Sequence, residues 1–196
     1  MSRQRGFQLV ELVVVLALMS IAALIVVPPV LSMSARLRVD LAAHELMAAL
    51  YQARSIAQRQ STYVGIKFYA AGGRVTYACY QDGDGDGVRT ADITAGIDPQ
   101  VAPLRIMVHL GGRVGFGFPP GRPPRDPGDP THRLVRLEDP IRFNDSDIAS
   151  YGPLGTSTPG SLYITDGQRE LSVVRVLGMT GKVRVMRWDP RADAWK

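Results

Sequence analysis

The sequence predicts an α+β chain: a long N-terminal helix, membrane-spanning in its first half, packed on an antiparallel β-sheet domain. Three observations predict it. Leu12 to Val27 is a sixteen-residue run in which Ser20 is the only polar residue. Beyond residue 30, apolar residues recur at helical spacing. From Thr62 onward, short runs rich in Val, Ile, Tyr and Phe alternate with turn residues, without the strand–helix alternation of a parallel nucleotide-binding sheet.

The opening run is apolar all round, unlike a helix that rests one face on a globular core. Phe7 to Val27 covers 21 residues. At ~1.5 Å each, that helix rises ~31 Å, enough for a hydrocarbon layer of ~30 Å. Arg3 and Arg5 precede it. Positive flanks stay on the cytoplasmic side, so the body of the chain is expected outside the cytoplasm. Pro28 and Pro29 remove two amide donors, and a kink or a locally melted stretch is expected there. Residues 28–60 then read as an amphipathic continuation ending near Gln60-Ser61. Leu46, Met47, Leu50, Ala53 and Ala57 share one face, which should pack on a sheet. Strands are expected near 63–69, 74–80, 104–110, 134–137, 141–143, 161–165, 171–177 and 182–188, with Gly72-Gly73 turning the first pair.

Composition narrows the functional classes. Of 196 residues, 45% are apolar and 21% charged, which favours a packed core over disorder. The net charge of +5 permits contact with anionic lipid or nucleic acid without requiring it. The single cysteine, Cys79, excludes an internal disulfide framework and is expected as a small buried apolar residue. His44, His109 and His132 are scattered, and no GxSxG, HExxH or Walker pattern occurs. No enzyme is expected.

Glu11 sits inside the apolar run. A carboxylate deep in a bilayer costs ~2.5–3.5 kcal/mol on insertion scales, so its presence asks for a function. The residues around it, RGFQLVEL, resemble the class III signal of type IV prepilins and type II secretion pseudopilins. In that family a short basic leader ends in Gly, Phe follows, and Glu stands fifth after the cut. Gly6, Phe7 and Glu11 match in register, and Pro28 falls at the family's usual twenty-second mature position. The resemblance implies cleavage after Gly6 by a prepilin peptidase and methylation of the Phe7 amine. It also implies a 1–6 leader, a 7–27 span, and a periplasmic domain over 61–196. Physically, the freed amine of one subunit can meet Glu11 of a neighbour and offset part of the burial cost of both charges. Such a pair would fix axial register, as a buried polar residue does in a coiled-coil seam. An ordinary secretory signal cut near Ala35 fits less well, because Glu11 interrupts the run and Pro28-Pro29 lies well before the small residues.

The order of elements, ending in the paired strands of ELSVVRVLGMTGKVRV, looks like the GspH/FimT family of minor pseudopilins and minor pilins. That likeness implies a minor subunit of a type II secretion pseudopilus, anchored in the inner membrane and assembled with other pseudopilins. A FimT-like minor type IV pilin is the alternative.

Three further segments could carry chemistry. Residues 81–98 hold five Asp and one Arg, a net −4. Asp82, Asp84, Asp86, the Val88 carbonyl and Thr90 fall at EF-hand-type ligand positions, but Ile93 stands where the bidentate acid belongs and Asp92 falls one residue early. A solvated Asp/Gly turn and a weak calcium site both fit. Residues 111–130 contain six glycines and six prolines and read as a long exposed loop. Residues 171–196 hold six basic and two acidic residues, with Trp188 and Trp195. Gly181-Lys182-Val183-Arg184 is similar to a basic stretch of DNA-uptake minor pilins, so Lys182, Arg184 and Arg187 with a stacking Trp would suit DNA. A solvated basic strand face fits as well.

Overall fold

The computed structural model describes residues 9–69, 74–107 and 114–196, with residues 28 and 29 described by backbone alone. The chain divides into two compact units, residues 1–37 and 38–196.

Helix α1 (Leu9–Gln60) is one helical element of 52 residues. It remains helical through residues 28 and 29, so the melted stretch expected at the two prolines does not occur. In the first unit the described side chains are exposed up to Met33, with Leu9 at 78% and Leu24 at 76%. No described residue covers this apolar surface.

In the second unit the helix buries one stripe: Val39, Ala42, Ala43, Leu46, Leu50, Ala53 and Ala57. The spacing is that of the helix itself, and four of the seven are alanines. Small side chains let backbones approach closely. Met47, expected on this face, is half-buried against it.

Two antiparallel sheets receive the stripe. The first has strand order β3-β2-β1-β6, from β1 (Val64–Tyr69), β2 (Thr76–Gln81), β3 (Gln100–Ile106) and β6 (Ile148–Tyr151). The second has order β10-β9-β8-β7-β4, from β4 (Gly115–Phe116), β7 (Gly160–Thr165), β8 (Leu171–Leu177), β9 (Lys182–Asp189) and β10 (Ala194–Trp195). Strand β5 (Ile141–Arg142) also pairs with β7. Val64, Ile66 and Phe68 from the first sheet join Leu162, Ile164, Val174 and Val176 from the second in one core with the helix. Phe68 lies at its centre, with ring centroids 5.7 Å from Phe143, 6.0 Å from Phe116 and 6.3 Å from Tyr77.

The outer faces are covered by loops. Residues 82–99, including the short helix α2 (Thr90–Ala95), fold over the first sheet and seat Val88 and Ile93 beside Ala78, Tyr80 and Ile148. Gly65 makes this possible, since a methyl there would lie 2.8 Å from Ile148 Cγ2 and 3.0 Å from Val88. The proline-rich segment covers the second sheet, where Phe118, Leu134 and Leu137 meet Tyr163, Leu171, Val173 and Trp188.

Several expectations are corrected. Residues 134–137 form no strand: Leu134 is buried, and its amide donates to the Pro124 carbonyl at 2.9 Å. The strand 148–151 was not expected, because polar Asn144 to Asp147 obscure its start. Strand β3 begins at Gln100, before Pro103, a residue an edge strand tolerates. The 111–130 loop is no simple excursion, since Val114 is buried and Phe116 enters β4 and the core. The Gly72-Gly73 turn lies outside the described residues.

Phe68→Ala is expected to cost about 3–5 kcal/mol, as buried aromatic truncations do. Urea unfolding of the full-length chain in detergent micelles measures it, and a loss under about 1 kcal/mol would show that the aromatic cluster is not central.

Candidate functional site

The N-terminal site begins with a helix and a carboxylate. Glu11 is exposed in the first described turn of α1, among Leu9, Val10, Leu12 and Val13, which are exposed as well. The helix is long and apolar enough to cross a membrane. Gly6 and Phe7 lie outside the described residues, as do the side chains of Pro28 and Pro29.

The acidic loop is built on two buried carboxylates. Asp82 is 6% exposed and Asp98 only 2%. Asp82 Oδ1 accepts the amides of Asp84 (3.2 Å) and Gly85 (2.8 Å), while Oδ2 accepts that of Gly87 (3.1 Å). Asp98 closes the loop from its far end, accepting Gly83 N–H at 3.1 Å and Arg89 N–H at 3.0 Å. Charged acceptors of this kind are worth more than neutral ones. Much of the negative charge is therefore held by backbone amides.

The structure gathers part of the expected cation set. Carboxylate oxygens of Asp82, Asp84 and Asp86 lie within 4.8 Å of one another. Arg89 forms an ion pair with Asp86. Thr90 Oγ1 accepts from the Lys67 ammonium at 2.7 Å, so a cation already stands at that ligand position. The Val88 side chain is buried in the apolar cluster that Ile93 also joins. The carboxylate of Asp92 is not part of the acidic group. Lys67 also anchors this loop and was not apparent from the sequence, because its partner Thr90 lies 23 residues away.

The basic strand is divided by its pleat. Lys182 and Arg184 are exposed on the outer face. Arg175 stands opposite Arg184 across the β8–β9 ladder, and Leu177 opposite Lys182. Arg187 has the other parity and turns toward α1, where its guanidinium meets Asp40 Oδ2 at 3.4 Å and Ser172 Oγ donates to Asp40 Oδ1 at 3.3 Å. The expected trio Lys182, Arg184 and Arg187 is thus split between two faces. The tryptophans are committed too. Trp188 is 8% exposed, and Trp195 packs 5.2 Å from it while its indole N–H donates to the Arg125 carbonyl at 2.7 Å. Neither stands free as a stacking platform.

A latch unforeseen from the sequence holds this end. Asp193 accepts from Arg133 at 2.7 and 2.9 Å and from Arg125 Nε at 2.9 Å. Arg142 donates to the carbonyls of Val135, Arg136 and Asp139 and lies 5.2 Å from the Tyr163 ring centroid. These partners are 60–68 residues apart for Asp193, and no local pattern reveals them.

Residues 1–27 match the family described as the prokaryotic N-terminal methylation motif. No curated protein and no solved structure matches the chain. The motif and the α+β layout together support a type IV pilin-like protein.

Two outcomes follow. The Lys196 ammonium, with the amides of Ala192 and Arg191, lowers the Asp189 carboxyl to about 2. Arg133 and then Arg125 lower that of Asp193. A depressed carboxyl stabilises above its unfolded pKa of ~3.9, and that contribution disappears as pH falls through the folded value. The tail is therefore expected to loosen between pH about 4 and about 2, read by fluorescence of the chain's 2 tryptophans. Three carboxylates without the twelfth-position acid also limit calcium affinity to the weak range of about 10⁻⁴–10⁻³ M. Calcium below about 0.1 mM should leave Tm unchanged, and a rise there would show additional ligands.

Proposed function

We propose that the chain is a minor pseudopilin subunit of a type II secretion pseudopilus, made as a prepilin and inserted once in the inner membrane. Arg3 and Arg5 stay cytoplasmic, and residues 61–196 lie in the periplasm. Prepilin peptidase cuts after Gly6 and the Phe7 amine is methylated. The subunit then enters the filament by packing its 7–27 helix among the helices of other pseudopilins. The observation that carries this reading is the methylation motif over residues 1–27, joined to a helix whose apolar surface no described residue covers.

Glu11 acts as the registry residue. Its carboxylate pairs with the cationic amine of a neighbouring Phe7, and each charge makes the other tolerable in an apolar medium. Pro28 and Pro29 adapt the helix between membrane and filament by weakening its hydrogen bonding there.

The alternative is a FimT-like minor type IV pilin that contacts DNA through Lys182 and Arg184. The observation favouring it is their exposure on one face, with no acidic partner among the described residues.

The reading is tested at the N-terminus and in assembly. The mature polypeptide is expected to begin at methylated Phe7, by intact mass. Glu11→Val should insert and be processed normally yet be missing from sheared filaments. A native chain that still starts at Met1 would overturn the assignment.

A further inference from the structure

The C-terminal part of helix α1 carries a cation that the fold leaves without an acceptor. Tyr51, Arg54 and Gln58 follow at i, i+3 and i+7, beside the buried Leu50, Ala53 and Ala57. Arg54 is half-buried, and its Nε atom is buried with no hydrogen-bond partner. No carboxylate among the described residues pairs with it, and residues 1–8, 70–73 and 108–113 contain no Asp or Glu. A second orphan lies beside it. Tyr151, on β6, is 0% exposed, and its hydroxyl also has no partner. Burial raises the pKa of that hydroxyl, while the neighbouring Arg54 guanidinium pulls it down. Tyr51 is engaged elsewhere, its hydroxyl donating to the Val183 carbonyl at 3.4 Å.

Two glycines make room for the guanidinium. Gly155, at φ 81°, is a position where a methyl would lie 3.0 Å from Arg54 Nη2 and 2.8 Å from the Gln58 side-chain amide. At Gly181, φ 60°, a methyl would lie 3.3 Å from Arg54 Nε. The lining consists of donors. A guanidinium has N–H groups and no acceptor, the phenol hydroxyl can donate, and the Gln58 amide stands at the exposed side. Buried donors that converge without an acceptor call for one from outside. Water accepts hydrogen bonds but brings no counter-charge to a half-buried cation. A single positive charge matches a monoanion, and a planar carboxylate meets the flat guanidinium fork with two oxygens. A phosphate dianion would need a second cation, and Lys182, which follows Gly181, lies on the outer face of β9.

We propose that Arg54 and Tyr151, with Gln58 at the exposed side, form a binding site for one carboxylate group, either free or carried on a polypeptide. The carboxylate lies on the Arg54 fork and accepts from the Tyr151 hydroxyl, so that both orphans are satisfied. The site stands whether or not the chain enters a filament. Leu154 and Met179, 91% and 92% exposed on the turns that carry Gly155 and Gly181, offer apolar contacts to a polypeptide that brings the carboxylate.

The test is thermal unfolding of the full-length chain in detergent micelles, in sodium acetate against sodium chloride at neutral pH and equal ionic strength. Acetate is expected to raise Tm saturably, with a midpoint of about 1–10 mM, a range open to a ligand of so few heavy atoms. Arg54→Lys keeps the charge, loses the fork and should weaken the midpoint at least about tenfold. Tyr151→Phe should weaken it about threefold or more. Without acetate that variant should melt no lower than the native chain, since it loses only an unpaired hydroxyl. Equal Tm in acetate and chloride overturns the proposal and leaves the site to water. So does a Tyr151→Phe chain that melts lower while its acetate response stays intact. A response that survives Arg54→Lys but is lost in Lys182→Gln would place the anion on the outer strand face and also overturn it. Inorganic phosphate saturating below acetate would overturn the carboxylate assignment. The blocked tripeptide acetyl-Leu-Glu-Leu-amide reads the source. Saturation at least about tenfold below acetate supports a carboxylate borne on a polypeptide, and a midpoint equal to or above that of acetate supports a free one.

Discussion

The burial of one helical stripe against two sheets at once is the contact on which this domain depends. Val39 to Ala57 supplies apolar surface that residues of both sheets share. Each sheet offers one inner face, and the alanines at 42, 43, 53 and 57 let those faces come close. Removing the helix would leave Ile66, Phe68, Leu162 and Val174 facing water. At ~25 cal/mol per Å² of apolar surface, no network of surface ion pairs would compensate.

The outer faces are handled differently. Each is sealed by a segment that has little regular structure and is fixed by polar anchors. Asp82 and Asp98 fold the acidic loop over Ala78 and Tyr80, while Asp193, Arg125, Arg133 and Arg142 secure the proline-rich segment over Tyr163 and Trp188. In both, a few charged groups decide where apolar residues such as Val88 and Phe118 come to rest. Asp193, Arg125 and Arg133 are partly exposed, and salt or acid reaches them before it reaches the core.

Periodic features were legible in the sequence. The helix end at Gln60, the β-rich remainder and the buried positions Leu46, Leu50, Ala53 and Ala57 follow from spacing that local physics imposes. The methylation motif was legible for the same reason, as it is contiguous. The signal failed where partners are distant. Arg187 was grouped with Lys182 and Arg184 by composition, although strand parity places it opposite, against Asp40. Trp188 was expected to be available, whereas a tail paired to β9 covers it. Residues 148–151 were missed because four residues are too few to show alternation after a polar turn.

The lone thiol has a practical meaning for a protein read as living in an oxidising space. Cys79 is 8% exposed, and burial pushes its pKa up to about 11. The thiolate, which does the chemistry, is scarce at neutral pH. The native chain is therefore chemically silent toward alkylating dyes and oxidants, and a fluorophore coupled to any introduced surface sulfur would report from that place alone.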